Sequence, residues 1–441
     1  MKKIFFLWNR LTATFWFIPV VIMLASIILS LGLLYLDTRI TFNLEGPGRF
    51  FLVNSSDSAR NILSTISAAM IGVAGTVFSV TLVALSLASS QFGPRLVKNF
   101  MHVLLNQVVL GAYISTYLYC LLVLNAVEDG ERYTLIPSVS ILVAILATVA
   151  NIVLLIFFIH QIATSIQADR IISDISVLIS HQVKTLFPEK MGEEPEHAIS
   201  HNIEGIKSSY PHKIALQCNK GGYLQYIDGR SLVDSLADYD ALLELRYRPG
   251  GYLIEGLEIG TLYANEQIEQ KKINTILDSF VTGKSKSHQQ DLEFSVNQMV
   301  EIAARALSPG INDPYTAIAC IDNLTTTMCY LAEAKFPSKY RFDDENNLRV
   351  IADTLDFDGV LDAAFNQIRQ FSEGMTAVII RLMEALTTIK EFTKTESQKQ
   401  AVLKHAKMVM ALGRQSIGEE NDLAALKERA KKIPGILKPQ N

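Results

Sequence analysis

A chain of 441 residues exceeds the roughly 100 to 200 that one compact domain needs. Charged residues make up 19% of it, below the roughly 25% of an ordinary soluble domain, while 49% are hydrophobic. The net charge of −4 comes without a basic stripe, which leaves no electrostatic footprint for nucleic acid.

The long apolar runs fall before residue 163 and most of the charge after it. A bilayer core about 30 Å thick asks for roughly 20 consecutive apolar residues in a helix. Four segments meet that length: Phe15 to Tyr35, Ser64 to Ser89, Val103 to Leu124 and Ser138 to Ile162. None contains Asp, Glu, Lys or Arg. The first follows Lys2, Lys3 and Arg10 but is too long for a signal-peptide core and lacks a small-x-small cleavage site, so it reads as an uncleaved anchor.

The second segment differs from the bulky first. Thr65, Ala68, Gly72, Gly75, Thr76, Ser79, Ser86 and Ser90 recur along one helical stripe. Small residues let helix backbones approach closely, and hydroxyls bond across an interface or back onto their own carbonyls. The stripe therefore suits either a tight helix contact, including one between subunits, or a water-lined path built by several copies. The helix leaves through Gln91-Phe92-Gly93-Pro94-Arg95-Leu96. Arg95 reads as a snorkelling side chain, or as a ring at the inner mouth of an oligomer that would favour anions.

Asn151 falls near the middle of the fourth span, where an amide must find protein or water, so it joins helices or lines a path. The absence of charged side chains from all four spans argues against proton-coupled transport and voltage sensing, but not against a passive channel. Lys2, Lys3, Arg10, Arg95 and Lys98 lie on one side; Glu128, Asp129 and Glu131 oppose Arg132 on the other. Arg39, Arg49 and Arg60 weaken this contrast, yet the balance puts both termini inside. Four cysteines without metal spacing read as reduced thiols.

Beyond the membrane domain, 1–162, the apolar period continues from Gln161 to Leu186 and predicts a helix that leaves the bilayer unbroken. Pro188 ends it, and 163–211 reads as helical extension and linker. His197 and His201, beside Glu193, Glu194 and Glu196, lack the further ligands of a metal site, so no metal or other cofactor is expected. Residues 212–264 switch to short alternating runs bounded by glycines, the pattern of a small β module. Its piece from Arg248 to Gly260 looks like a lipoyl-type paired turn without the carrier lysine.

After Asn265 the pattern reads as a helical domain, 265–441, with helices near 265–281, 291–307, 314–335, 358–372, 375–395, 398–413 and 419–432. At one junction Pro309 and Gly310 stop a helix, while Asp313 and Pro314 start the next. The alternative places Asn312, Asp313 and Thr316, with Glu301 and Arg305, around a ligand or cation. No phosphate-cradling loop, nucleophile elbow or zinc-hydrolase motif is present, and no enzyme is expected.

Two stretches, Thr76 to Leu96 and Arg305 to Ala317, together resemble the bacterial predicted membrane proteins of the domain-of-unknown-function 2254 family. The family's motif positions fall on Ser89, Ser90, Gln91, Pro94 and Arg95, and on Ser308 through Thr316. The resemblance implies a bacterial, hence inner-membrane, protein with four N-terminal helices and a cytoplasmic C-terminal region, and no established activity.

The expected fold is a mainly α membrane protein: four transmembrane helices, then a cytoplasmic region with a small β module and a helical bundle. The expected function is an oligomeric channel or transport pore with a cytoplasmic regulatory region. The alternative is a membrane-anchored scaffold or sensor that binds an unknown partner or small ligand through its cytoplasmic helices. Besides the lipid bilayer, the expected partner is a second copy of the chain.

Overall fold

The computed structural model describes residues 14, 16–39, 55–93, 104–129, 134–165, 167–186 and 203–436. The chain divides into two compact units, Met1–Arg170 and Ile171–Asn441.

Among the described residues, four helices of the first unit are long and apolar enough to cross a membrane: α1 (Phe17–Arg39), α2 (Ser56–Phe92), α3 (Leu104–Asn125) and α4 (Ser138–Ser165). A short antiparallel pair, β1 (Glu128–Asp129) with β2 (Thr134–Leu135), precedes α4. At 1.5 Å per residue, the 37 residues of α2 extend about 55 Å, beyond the apolar core of a bilayer. It begins eight residues before the apolar run, where Asp57 complements the positive end of the helix dipole. It stops at Gly93, whose φ of 103° a residue with a side chain rarely adopts.

The centre of this bundle is α3, which packs against α1, α2 and α4. Half of its span is buried (50%), against 11% to 22% in the other three. Its polar side chains accordingly need internal partners. Tyr113 donates its hydroxyl to the Asn151 carbonyl at 2.7 Å, and Tyr119 donates to the Ser140 carbonyl at 2.9 Å. At Gly111 the backbones of α1 and α3 come so close that an added Cβ would stand 2.9 Å from the Cα of Pro19.

Asp37, near the end of α1, caps α4. Its carboxylate accepts from the backbone N–H groups of Val139 and Ser140, both at 3.0 Å, and from the Ser140 hydroxyl at 2.6 Å. A carboxylate there satisfies orphan donors and meets the positive end of the dipole. Asp37→Ala is expected to lower the stability of the purified protein in detergent by about 1–2 kcal/mol. Asp37→Asn should fall between, and unfolding at the wild-type temperature in both would remove the cap from the account.

The expected unbroken helix from Gln161 to Leu186 is interrupted. α4 ends at Ser165, Gln167 lies outside any helix, and α5 covers Ala168–Leu186. Thr164 turns its hydroxyl back onto the carbonyls of His160 and Gln161, and the Gln167 N–H bonds Thr164 O, tightening the last turn.

In the second unit, α6 (Ile203–Ser209) leads into β3 (His212–Gln217), β4 (Gly222–Ile227), α7 (Gly229–Asp238), β5 (Ala241–Leu245), β6 (Tyr252–Leu253) and β7 (Glu258–Ala264). Then come α8 (Gln270–Leu277) and three strands where the sequence read as helical: β8 (Phe280–Gly283), β9 (Tyr340–Phe342) and β10 (Leu348–Ile351). Five strands form one sheet in the order β3-β7-β5-β10-β9, with β10 parallel to β5 and the remaining pairs antiparallel. Three more form an antiparallel sheet, β6-β4-β8. Both sheets, α7 and α8 share one core that includes Leu224, Leu236, Leu243, Leu262, Ile276 and Val350.

The helical part consists of α9 (Leu292–Ala306), α10 (Pro314–Glu333), α11 (Phe357–Phe371), α12 (Thr376–Phe392), α13 (Glu396–Ser416) and α14 (Glu420–Ala430). Their starts follow side-chain caps: Asp291 on α9, Asp313 on α10, Asp356 on α11, and a Thr395–Gln398 capping box on α13. Packing joins α9 to α10 and α11, α12 to α10, α13 and α14, and α11 to α13.

Candidate functional site

The sequence-marked stripe of α2 is set by how its other side packs. Ala59, Leu63, Met70, Ala74, Val77, Ala84 and Ala88 are buried, most of them in the clusters that join α2 to α3 and α4. Gly72, Gly75, Thr76, Ser79, Ser86 and Ser90 therefore face away and are exposed. Among the described residues, nothing lies within 4 Å of a Cβ added at Gly72 or Gly75. Thr76 and Ser79 donate to the carbonyls of Gly72 and Gly75 at 3.2 and 2.9 Å, and Ser90 donates to Leu87 O at 2.9 Å. The hydroxyl hydrogens are thus spent within the helix, leaving oxygen lone pairs outward. Between Ser79 and Ser86 the same face carries Leu82 and Val83, both exposed.

Asn151 does not join that stripe. It is 2% exposed inside the bundle, where its amide donates to Thr116 Oγ1 at 2.9 Å and to Met70 Sδ at 3.4 Å. It ties α4 to α3 and α2, the interhelical role of a buried amide. Arg95 lies outside the described residues, as do His197 and His201.

In the second unit, the junction of α9 and α10 brings its residues together in pairs. Arg305 faces Glu301 one turn back at 3.7 Å. Asp313 accepts from the Thr316 N–H at 3.1 Å and from its hydroxyl at 2.6 Å. The Thr316 hydroxyl thereby holds the Asp313 carboxyl below its ordinary range. Asn312 takes φ 50°, the left-handed turn that asparagine tolerates. Ser308 closes the end of α9 through the Arg305 carbonyl at 2.6 Å. This braced turn presents Ile311 and Tyr315 outward, 47% and 81% exposed.

The family described as predicted membrane proteins (DUF2254) matches residues 12–388, nearly the whole of the first unit and the second up to α12. The chain belongs to this family. It is similar, at 29% identity over 402 residues, to uncharacterised proteins of Mycobacterium tuberculosis (strains CDC 1551 and H37Rv) and of Mycobacterium bovis. Each match covers 86% of this chain and 74% of the relative. No solved structure matches it.

This DUF2254 protein is thus a membrane protein whose stripe and braced turn both lie within the family's extent. Sequence reasoning missed two groupings in it. One is Asp37 with the start of α4, for which the signal is an acid at a span's end, a candidate cap for a neighbouring helix. Asp358 and Asp362, one turn apart, meet His405 from a helix past the matched residues, a pairing that spacing alone does not reveal.

Proposed function

We propose that the protein works as a homo-oligomer in a bacterial inner membrane, with both termini inside. In it, α2 helices from several copies surround a permeation path, and the C-terminal unit regulates it from the cytoplasm. The observation that carries this reading is the outward stripe of α2, glycines and hydroxyls exposed on the side away from α3 and α4. Glycine and serine on a lipid-facing surface gain nothing from lipid, whereas against another helix they permit close approach. In this reading the stripe lines the path, and Asn151, buried among the chain's own helices, does not.

The test is current across a planar bilayer holding the purified protein in asymmetric salt, beside Ser79→Trp. Discrete currents with a defined reversal potential, reduced at least severalfold by the substitution, are the expected result. Silence from a confirmed oligomer over a range of voltage, pH and salt sinks an open pore.

A second reading, a membrane-anchored scaffold or sensor, is favoured by the turn at Ile311 and Tyr315. A large apolar side chain held outward on a braced loop suits a protein partner. Pull-down by wild type, lost in Ile311→Ser with Tyr315→Ser, would move the function to that turn.

A further inference from the structure

Helices α11 and α13 pack side by side, and their facing residues form a compact charged group. Asp358 and Asp362 stand one turn apart on α11. The Nε2 of His405, on α13, lies 2.9 Å from Asp362 Oδ1, and Asn366 donates to that same oxygen at 2.9 Å. The ammonium group of Lys404 sits between the carboxylates, 3.1 Å from both oxygens of Asp362 and 3.3 and 3.5 Å from those of Asp358.

A lysine bridge alone would explain two carboxylates, but it leaves two features over. Two carboxylates around one ammonium keep one negative charge unbalanced. And the imidazole, buried to 1% exposure, brings a nitrogen to the carboxylates that the ammonium does not require. One ligand atom from each of Asp358, Asp362 and His405 lies within 4.8 Å of the other two.

We propose that Asp358, Asp362 and His405 form a binding site for a divalent first-row transition cation, which displaces the Lys404 ammonium. Two carboxylate oxygens and one imidazole nitrogen are a donor set that zinc, manganese and iron accept. Two negative charges balance the ion. Lys404 is 45% exposed on a flexible stem and swings into water, whereas His405 stays fixed. On binding, Nε2 turns its lone pair to the ion and the ring proton sits on Nδ1. Asn366 keeps Asp362 oriented from behind, as second-layer donors do. The ion would clip α11 to α13, independently of how copies assemble in the membrane.

Tag-free full-length protein in detergent, stripped with chelator, is titrated with zinc chloride by calorimetry, and its unfolding temperature is followed. The expected result is one saturating zinc per chain that raises the unfolding temperature, weakened about 10–100-fold in Asp362→Asn and His405→Gln. Lys404→Gln should bind zinc severalfold tighter, because the competing ammonium is gone. A purely structural lysine bridge predicts the opposite, a destabilised variant that zinc does not restore. If the first two variants fail to fold, Lys404→Gln decides alone. The proposal is overturned by no saturable zinc in wild type and Lys404→Gln, or by uptake that Asp362→Asn and His405→Gln leave unchanged.

Discussion

Arg349→Leu is expected to destabilise the C-terminal unit by about 3–5 kcal/mol, the cost of leaving a buried charge without its partner. Arg349 lies on β10, 6% exposed at its side chain, and its Nε donates to Asp343 Oδ2 at 2.7 Å, itself 8% exposed. Its Nη1 reaches Asp240 at 2.8 Å. Asp343 also accepts from the backbone N–H of Glu345 and Asn347, shaping the turn between β9 and β10 around Asn346 with φ 64°. Asp240 opens β5, so the one arginine fastens this hairpin to the strand that β10 joins in parallel.

Burial alone would push the Asp343 carboxyl up, but the hydrogen bonds from Arg349 and Asn347 outweigh it and hold it low. Asp240 is held low chiefly by Arg349. A carboxylate with a depressed folded pKa contributes stability that is complete above its unfolded value, near 3.9. That stability drains away as pH falls through the folded value. Unfolding monitored from pH 7 downward should therefore show an acid loss below about pH 4 that Arg349→Leu with Asp343→Asn flattens. The double variant should also be less damaged than Arg349→Leu alone, since no buried charge is stranded. Equal stability of Arg349→Leu and wild type would show that this ion pair holds nothing.

Gly111→Leu is expected to be the most damaging change in the membrane unit. A Cβ at this position would meet the Pro19 Cα and the Ile22 Cδ1, both at 2.9 Å, and the first is backbone that cannot rotate away. One turn on, the Ser26 hydroxyl donates to Ser115 O at 3.0 Å, which depends on the same close approach. Overpacking costs about 1–3 kcal/mol where neighbours yield, and a clash with backbone lies at or above that range. The expected outcome is α1 displaced from α3, read as loss of monodisperse protein or as unfolding at much lower SDS in a circular-dichroism titration. Gly111→Ala should fall between. Gly75→Leu supplies the contrast: within one chain no described residue lies within 4 Å of its added Cβ. It should keep the monomer's helicity and SDS resistance yet weaken assembly. Equal damage from Gly111→Leu and Gly75→Leu would contradict the packing described for α2 and α3.

The four spans were legible because a bilayer demands about 20 apolar residues in a row, a requirement local to each segment. The late helices were legible for a similar reason: Asp291, Asp313, Asp356 and Thr395 announce their helices by bonds to residues three positions on. The small-residue face of α2 and the capped turn at Asp313 could also be read, since each is a pattern along a single element.

Strands β8, β9 and β10 were not legible. They hold four, three and four residues, too few to set a period; β8 and β10 form by pairing with strands far off in sequence, and β9 forms only against β10. The break after Ser165 escaped because the apolar period continues across it. Sequence by itself therefore determined the class of this protein, its spans, most of its helices and the stripe along α2, because those follow from interactions within a few residues. Only the tertiary structure decided that the alanine side of α2 packs inward and the glycine and hydroxyl side outward, that Asn151 is interior, and that Asp358, Asp362 and His405 converge. Each of these depends on which surfaces of distant segments exclude lipid or water together, and no short stretch of chain carries that information.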